Sequence, residues 1–185
     1  MPKKEPSAKY EFVFLEEENV SYFFQTDYQL TYEVSFKPTF YIFEPHLPFA
    51  NWVYELVIKI FDNASDKIPP TDPIISVTIV AIFQHFFSNH TEKIIVYVCD
   101  TSDRKHLARY RKFNRWFEFH NDDEFRKMEV NTTDELKDVT YFNTLIVKRT
   151  NPYLAEIEIA FRDVFAEEKW PKLPQYRPKR WPNTK

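Results

Sequence analysis

The chain has 185 residues, enough for one domain with a substantial core, and 43% of them are hydrophobic and 18% aromatic, which excludes intrinsic disorder for its body. It contains no glycine, where an average chain of this length carries roughly a dozen. That excludes a Walker loop, a dinucleotide fingerprint and a nucleophile elbow, since each needs glycine where the backbone meets a ligand or turns sharply. The net charge of −3 is unevenly spread: residues 102–119 hold six basic and two acidic residues, and 169–185 hold six basic and no acidic ones. Two basic elements therefore stand on an acidic body, an asymmetry suited to anion binding or to self-complementarity.

Tyr10–Leu15, Val20–Gln25 and Leu30–Phe36 alternate apolar and polar residues with period two. They predict a three-stranded antiparallel meander. Residues 37–50, with Pro38, Pro45 and Pro48, predict a loop. Trp52–Phe61 alternates again, with Trp52, Tyr54, Leu56, Ile58 and Ile60 on one face, and predicts a fourth strand.

Asp72-Pro73 supplies a cap and a first helical position, and Pro73–Asn89 predicts a well-buried helix. The β-branched run IISVTIV also permits a strand; length favours the helix. Ile94–Val98 is an unbroken apolar run, as in a strand covered on both faces. Residues 100–103 cap a second helix reaching about Phe119. Phe125–Val130 and Val139–Arg149 predict a final strand pair, and Asn151-Pro152 opens a third helix through Glu168.

The expectation is one α+β domain over residues 10–168, with a mixed, mostly antiparallel sheet of about seven strands and three helices in the order ββββαβαββα. The crossover helix predicts that Ile94–Val98 runs parallel to the fourth strand. Residues 1–9 read as a flexible terminus and 169–185 as a basic tail rich in proline and aromatics. With glycine absent, left-handed positions fall to Asn or Asp; Asn19, Asn63, Asn89 and Asn121 sit where turns are wanted. No apolar stretch is long enough to span a bilayer, no signal peptide is evident, and the single cysteine, Cys99, suits a reducing cytosol. The expected location is therefore cytoplasmic, with no membrane partner.

The strand-to-helix junction Cys99–Arg115 is the sharpest candidate site, because strand carboxyl ends followed by helix amino ends commonly hold ligands. Thr101 and Ser102 offer hydroxyls there, and Arg104, Arg111 and Arg115 lie along one side of the helix, a surface suited to clamping phosphates. The plainer reading is a solvated face, with Asp100 and Asp103 serving only as caps. Cys99 with His106 suggests a nucleophile pair, and with Asp103 a metal site, but the spacing fits no zinc motif and a cysteine ending a buried strand usually behaves as a small apolar residue. No metal and no cofactor are expected. In the tail, Trp170, Tyr176 and Trp181 interleave with Lys172, Arg177, Lys179 and Arg180. Such a segment can stack on bases while meeting phosphates, can enter a protein groove as polyproline II, or can pack back over the acidic body.

The element order resembles the core of the acetyl-CoA-dependent N-acetyltransferases. Those enzymes often carry a small residue followed by Leu-Tyr-Glu-Lys-x-Gly-Phe on the helix after the fifth core strand. Here Ala108-Arg109-Tyr110-Arg111-Lys112-Phe113-Asn114 stands in that place, with Ala108, Tyr110 and Lys112 aligning and Asn114 where glycine is usual. The resemblance implies a general-acid role for Tyr110, against which stands a packed aromatic. It also implies a Gln/Arg-x-x-Gly-x-Gly/Ala pyrophosphate loop after the fourth strand. The interval Phe61–Asp72 has no glycine, no arginine and three Asp residues, and Pro73 removes an amide from the helix start. Free amides and positive charge are what a pyrophosphate needs, so a shared fold implies a lost cofactor site.

Nearly the whole chain also resembles a family of small bacterial proteins, mostly from Bacteroidota, known as a domain of unknown function. The residues carrying this are Tyr10-x-Phe12, Tyr22-Phe23-x-x-Thr26, Thr78-Ile79, Tyr97-x-Cys99-Asp100, Arg109-x-Arg111-x-Phe113, Trp116-Phe117, Asn151-Pro152-Tyr153 and Ala160-Phe161. It implies no activity. Three readings follow: a non-catalytic binding or regulatory protein on a degenerate acetyltransferase-like scaffold; a nucleic-acid-associated protein using helix 102–119 and the tail; and an active acyltransferase with an atypical cofactor site. The missing phosphate loop favours the first, and the overall acidity weighs against the second.

Overall fold

The computed structural model describes residues 8–64, 71–88, 90–99, 106–134 and 139–165. The elements, in chain order, are β1 (Phe12–Glu16), β2 (Val20–Gln25), β3 (Leu30–Pro38), β4 (Val53–Asn63), α1 (Ile74–Phe87), β5 (Ile94–Val98), α2 (His106–His120), β6 (Phe125–Asp134), β7 (Val139–Lys148) and α3 (Leu154–Val164). The strands form one mixed sheet in the order β1-β2-β3-β4-β5-β7-β6. This is the α+β architecture and the element order that the residue pattern predicts.

β1 to β4 make an antiparallel meander, with Phe12 opposite Phe24 and Phe36 opposite Leu56. α1 then crosses over, and β5 pairs with β4 in parallel. A crossover helix of this length favours the parallel direction, because parallel neighbours need a connection long enough to return the chain to the same end of the sheet. β7 inserts antiparallel between β5 and β6, leaving β1 and β6 as the sheet edges.

Period-two alternation divides the side chains between two cores. On one face Tyr22, Phe24, Val34, Phe36, Leu56, Ile95 and Tyr97 meet the apolar side of α1, where Ile75, Ile79, Ile82, Phe86 and Phe87 are buried, and α2 packs Tyr110, Phe113, Trp116 and Phe117 against it. On the other face Val53, Ile94, Val96, Leu145 and Val147 meet Ile157 and Phe161 of α3 and the Ile42–Ala50 loop. Lys93 closes the carboxyl end of α1: its Nζ donates to the Phe86 carbonyl at 2.9 Å and lies 4.1 Å from the Phe86 ring centroid.

Several boundaries differ from expectation. Trp52 belongs to a 3-10 turn, Ala50–Trp52, and not to the strand, because its amide donates to the Phe49 carbonyl and is unavailable to the sheet. β6 runs to Asp134, beyond the apolar stretch, because the polar pairs from Asn131↔Phe142 to Thr133↔Thr140 continue the ladder and buried Asn143 donates to Thr132 and to the Val130 carbonyl. α3 begins at Leu154, since the Asn151 side chain takes the Tyr153 amide and donates to the carbonyls of Thr91 and Glu92. The helix ends at Val164, and the proposed continuation to Glu168 lies outside the described residues from 166 onward.

The left-handed backbone positions are Asp123 at φ 64° and Gln29 at φ 59°. The expectation of Asn or Asp holds at Asp123 and fails at Gln29. There the β2–β3 turn is closed by Gln29 N–H to the Thr26 carbonyl and Thr26 N–H to the Leu30 carbonyl. Those bonds offset the ~1–2 kcal/mol that the left-handed region costs an ordinary side chain. Asn89 lies outside the described residues, and Asn19, Asn63 and Asn121 have ordinary φ.

Candidate functional site

Of the eleven residues of β4, only Val53–Glu55 pair with β5. Beyond Glu55 and Val96 the two parallel strands part. The next residues pointing toward the helices are Leu56 and Ile58 on β4 and Tyr97 on β5, and these form the floor of a groove. α1 supplies one wall through Ile79, Val80 and Phe83, and α2 the other through Phe113, Trp116 and Phe117. His120, Asp122 and Glu124 stand at its mouth. The cavity has a volume of about 110 Å³. Its walls are apolar and aromatic, as in a pocket for an apolar group with a few polar atoms at the entrance.

Two contacts hold the α2 wall in place. Lys127 on β6 donates to Asn114 Oδ1 at 2.8 Å, pairs with Glu129 at 3.2 Å, and lies 5.3 Å from the Phe117 ring centroid. The Tyr110 ring lies against Phe142, 4.4 Å between centroids.

At the amino end of α1, the Asp72 carboxylate accepts two hydrogen bonds. Oδ1 accepts from the Ile74 amide at 2.9 Å, and Oδ2 accepts from the Tyr10 hydroxyl at 2.8 Å. A negative charge thus already occupies the helix terminus where an incoming phosphate would need free amides and a positive field.

Of the residues singled out by sequence, Arg111 and Arg115 lie one turn apart on α2, exposed. Thr101, Ser102, Arg104, Asp103 and the tail residues Trp170, Tyr176, Arg177, Arg180 and Trp181 lie outside the described residues. Tyr110 sits on the sheet side of α2, half-buried, and burial raises its hydroxyl above the usual tyrosine range. It is stacked on Phe142 in the manner of a packed aromatic.

Cys99 is buried, and burial pushes its thiol up to about 11, the nearby Arg109 lowering it and Glu129 raising it. At neutral pH it is therefore protonated, and only the thiolate is a nucleophile. Cys99 is expected to react with a thiol reagent at pH 8 at least tenfold more slowly in the folded protein than after denaturation; equal rates, read by mass spectrometry, would contradict its burial. Among the described residues, no group of three or more His, Cys, Asp or Glu is placed to hold a metal ion. Nor is any described helix long and apolar enough to cross a membrane.

Sequence reasoning missed the groove. Its α2 wall, Phe113, Trp116 and Phe117, stands on the helix that the sequence reading took for a basic surface. The signal that could have found it is the aromatic excess on α2, a helix with no fully buried residue.

Residues 71–163, about half the chain, match the model of a family of unknown function, DUF6169. The match begins at the α1 cap and ends inside α3, so it takes in both helical walls of the groove and its β5 floor. No curated protein and no solved structure matches the chain.

Proposed function

The chain belongs to DUF6169, a family of unknown function, and from that premise we propose that it is a non-catalytic binding or regulatory protein on a degenerate acetyltransferase-like scaffold. The reading takes the chain to be a bacterial, cytoplasmic protein. It is supported by the element order and by the one parallel pairing among the described strands, β4 with β5, which lies under the two crossover helices. The observation that carries it is the apolar groove opened where those strands part, roofed by α1 and α2. Its ligand is an apolar or aromatic group of about the size of a single ring, since an apolar cavity of roughly 150 Å³ takes up benzene.

Asp72 separates this reading from a working acyltransferase. Its carboxylate is bonded to the Ile74 amide and the Tyr10 hydroxyl, and a pyrophosphate placed there would meet like charge in place of a nest of amides.

The test uses two ligands. Fluorobenzene followed by fluorine NMR is expected to bind saturably, with a Kd in the millimolar range set by so few atoms. Val80→Trp, a half-buried wall position of α1, should fill the groove and abolish that binding with the fold retained. Acetyl-CoA is expected to give no binding heat in calorimetry. Absence of saturable fluorobenzene binding, or binding unchanged in Val80→Trp, overturns the groove assignment. Micromolar binding of acetyl-CoA reverses the ranking in favour of an acyltransferase.

A further inference from the structure

The sheet is covered unequally. On the face opposite α1 and α2, the α3 side, Val13 pairs with Phe23, and the Phe23 ring meets Phe61 edge-on at 5.4 Å. Leu15 continues the same stripe by alternation. Val13 is 61% exposed, Leu15 47% and Phe61 61%. α3 and the Ile42–Ala50 loop cover this face over Val53, Ile94, Leu145 and Val147. No described residue covers it over β1, β2 and the far end of β4.

The surroundings are acidic. Residues 8–64 carry nine acidic and three basic side chains. One pair is internally neutralised, Glu33 with Lys59 at 2.7 Å. Glu11 on the same side of β1 as Val13 and Leu15, and Glu17 and Glu18 in the turn that follows, are exposed. The surface is thus an apolar stripe bordered by uncompensated carboxylates, and it suits an extended segment that alternates aromatic and cationic residues.

The chain itself contains such a segment. Residues 169–185 hold Trp170, Tyr176 and Trp181, six cations, no anion and four prolines. The described chain ends at Phe165, buried in the core on this same face. The stripe lies four to five strand spacings from the β5–β7 region beneath α3, about 24 Å at ~4.8 Å each. Seventeen residues in polyproline II conformation reach about 50 Å at ~3.1 Å each, so the segment is long enough.

We propose that residues 169–185 dock across the face of β1, β2 and the far end of β4 that no described residue covers, with their rings on the Val13–Phe23–Phe61 stripe and their cations beside Glu11, Glu17 and Glu18. The tail is then the cover of its own sheet, and its cations are engaged before any outside anion arrives. Four prolines fit this mode, since an extended proline-rich segment packs on aromatic surfaces without needing ladder hydrogen bonds.

Carbodiimide cross-linking of the full-length protein, read by mass spectrometry on an equal mixture of nitrogen-14 and nitrogen-15 chains, tests this. The tail lysines Lys169, Lys172, Lys179 and Lys185 are expected to couple to Glu11, Glu17 and Glu18 within a single isotopic copy. The double variant Val13→Ser with Phe61→Ser, both at exposed positions, should cut those cross-links several-fold and speed tryptic nicking of the tail. Cross-links mainly between isotopic copies would assign the face to a second chain and overturn the proposal. Tail lysines that stay uncoupled, couple elsewhere, or couple unchanged in the double variant overturn it as well.

Discussion

Replacing Phe86 with alanine is expected to lower the stability of the protein by about 4 kcal/mol, in the upper range for aromatic truncation in a core. Phe86 is 2% exposed and stacks on Phe36 at 3.8 Å between ring centroids. Its ring also meets Tyr54 at 5.1 Å and Phe87 at 5.6 Å edge-on. α1 and two strands of the meander are thus joined through one side chain. The substitution also removes the ring beneath the Lys93 ammonium, whose charge burial already disfavours. Domains of this kind are stable by only about 5–15 kcal/mol, so the loss should move the urea midpoint far down. Ile159→Ala on α3, at a position 63% exposed, should shift it by less than about 1 kcal/mol. Equal shifts for the two variants would refute the packing described for α1.

Raising the pH should unfold the protein cooperatively between about pH 10 and 12. Burial, with Glu16 adding to it, holds the Tyr22 hydroxyl neutral up to about 12, and burial likewise raises Tyr10 to about 12. Burial also raises Tyr97, Tyr32 and Tyr54. In the unfolded chain these groups ionise near 10. Between the two values the unfolded state has released protons that the fold retains, so stability falls as pH rises. The contribution is fully present below pH 10 and is lost as pH climbs through the folded values. Tyr22 alone supplies on the order of 2–3 kcal/mol, taking about 1.36 kcal/mol per unit. Tyrosinate absorbance and loss of far-UV circular dichroism should therefore appear together. Tyrosines titrating one by one near pH 10 with the dichroism unchanged would show that they are not held by the fold.

The strand alternation in β1 to β4 was legible because each strand has one face on the first core, which imposes period two on the residues, and β5 was legible as an unbroken apolar run because both its faces are covered. α1 was legible through length and through Asp72-Pro73, although its IISVTIV stretch has strand-like composition; burial on most sides overrides that local preference. The far half of β6 was not legible, since Asn131, Thr132 and Thr133 gain their strand conformation from pairing with β7. Gln29 was missed for the same reason, its left-handed backbone being fixed by bonds across the β2–β3 turn.

The candidate site divides in a similar way. The chain without glycine between Phe61 and Asp72 already argued against a phosphate loop, because a residue type that is absent cannot be supplied by folding. The Cys99 thiol was readable as inert from its place at the end of an apolar strand. The groove was not readable. Apolar side chains at helical spacing look alike whether a neighbour fills the space before them or leaves it open, and only the parting of β4 from β5 after Glu55 and Val96 creates the gap. Local sequence thus determined the order and nature of the elements, through periodicity and caps that act within a few residues. Which apolar surfaces end as core, as groove or as a sheet face that no described residue covers was decided by long-range pairing, where residues distant in the chain set the spacing between strands.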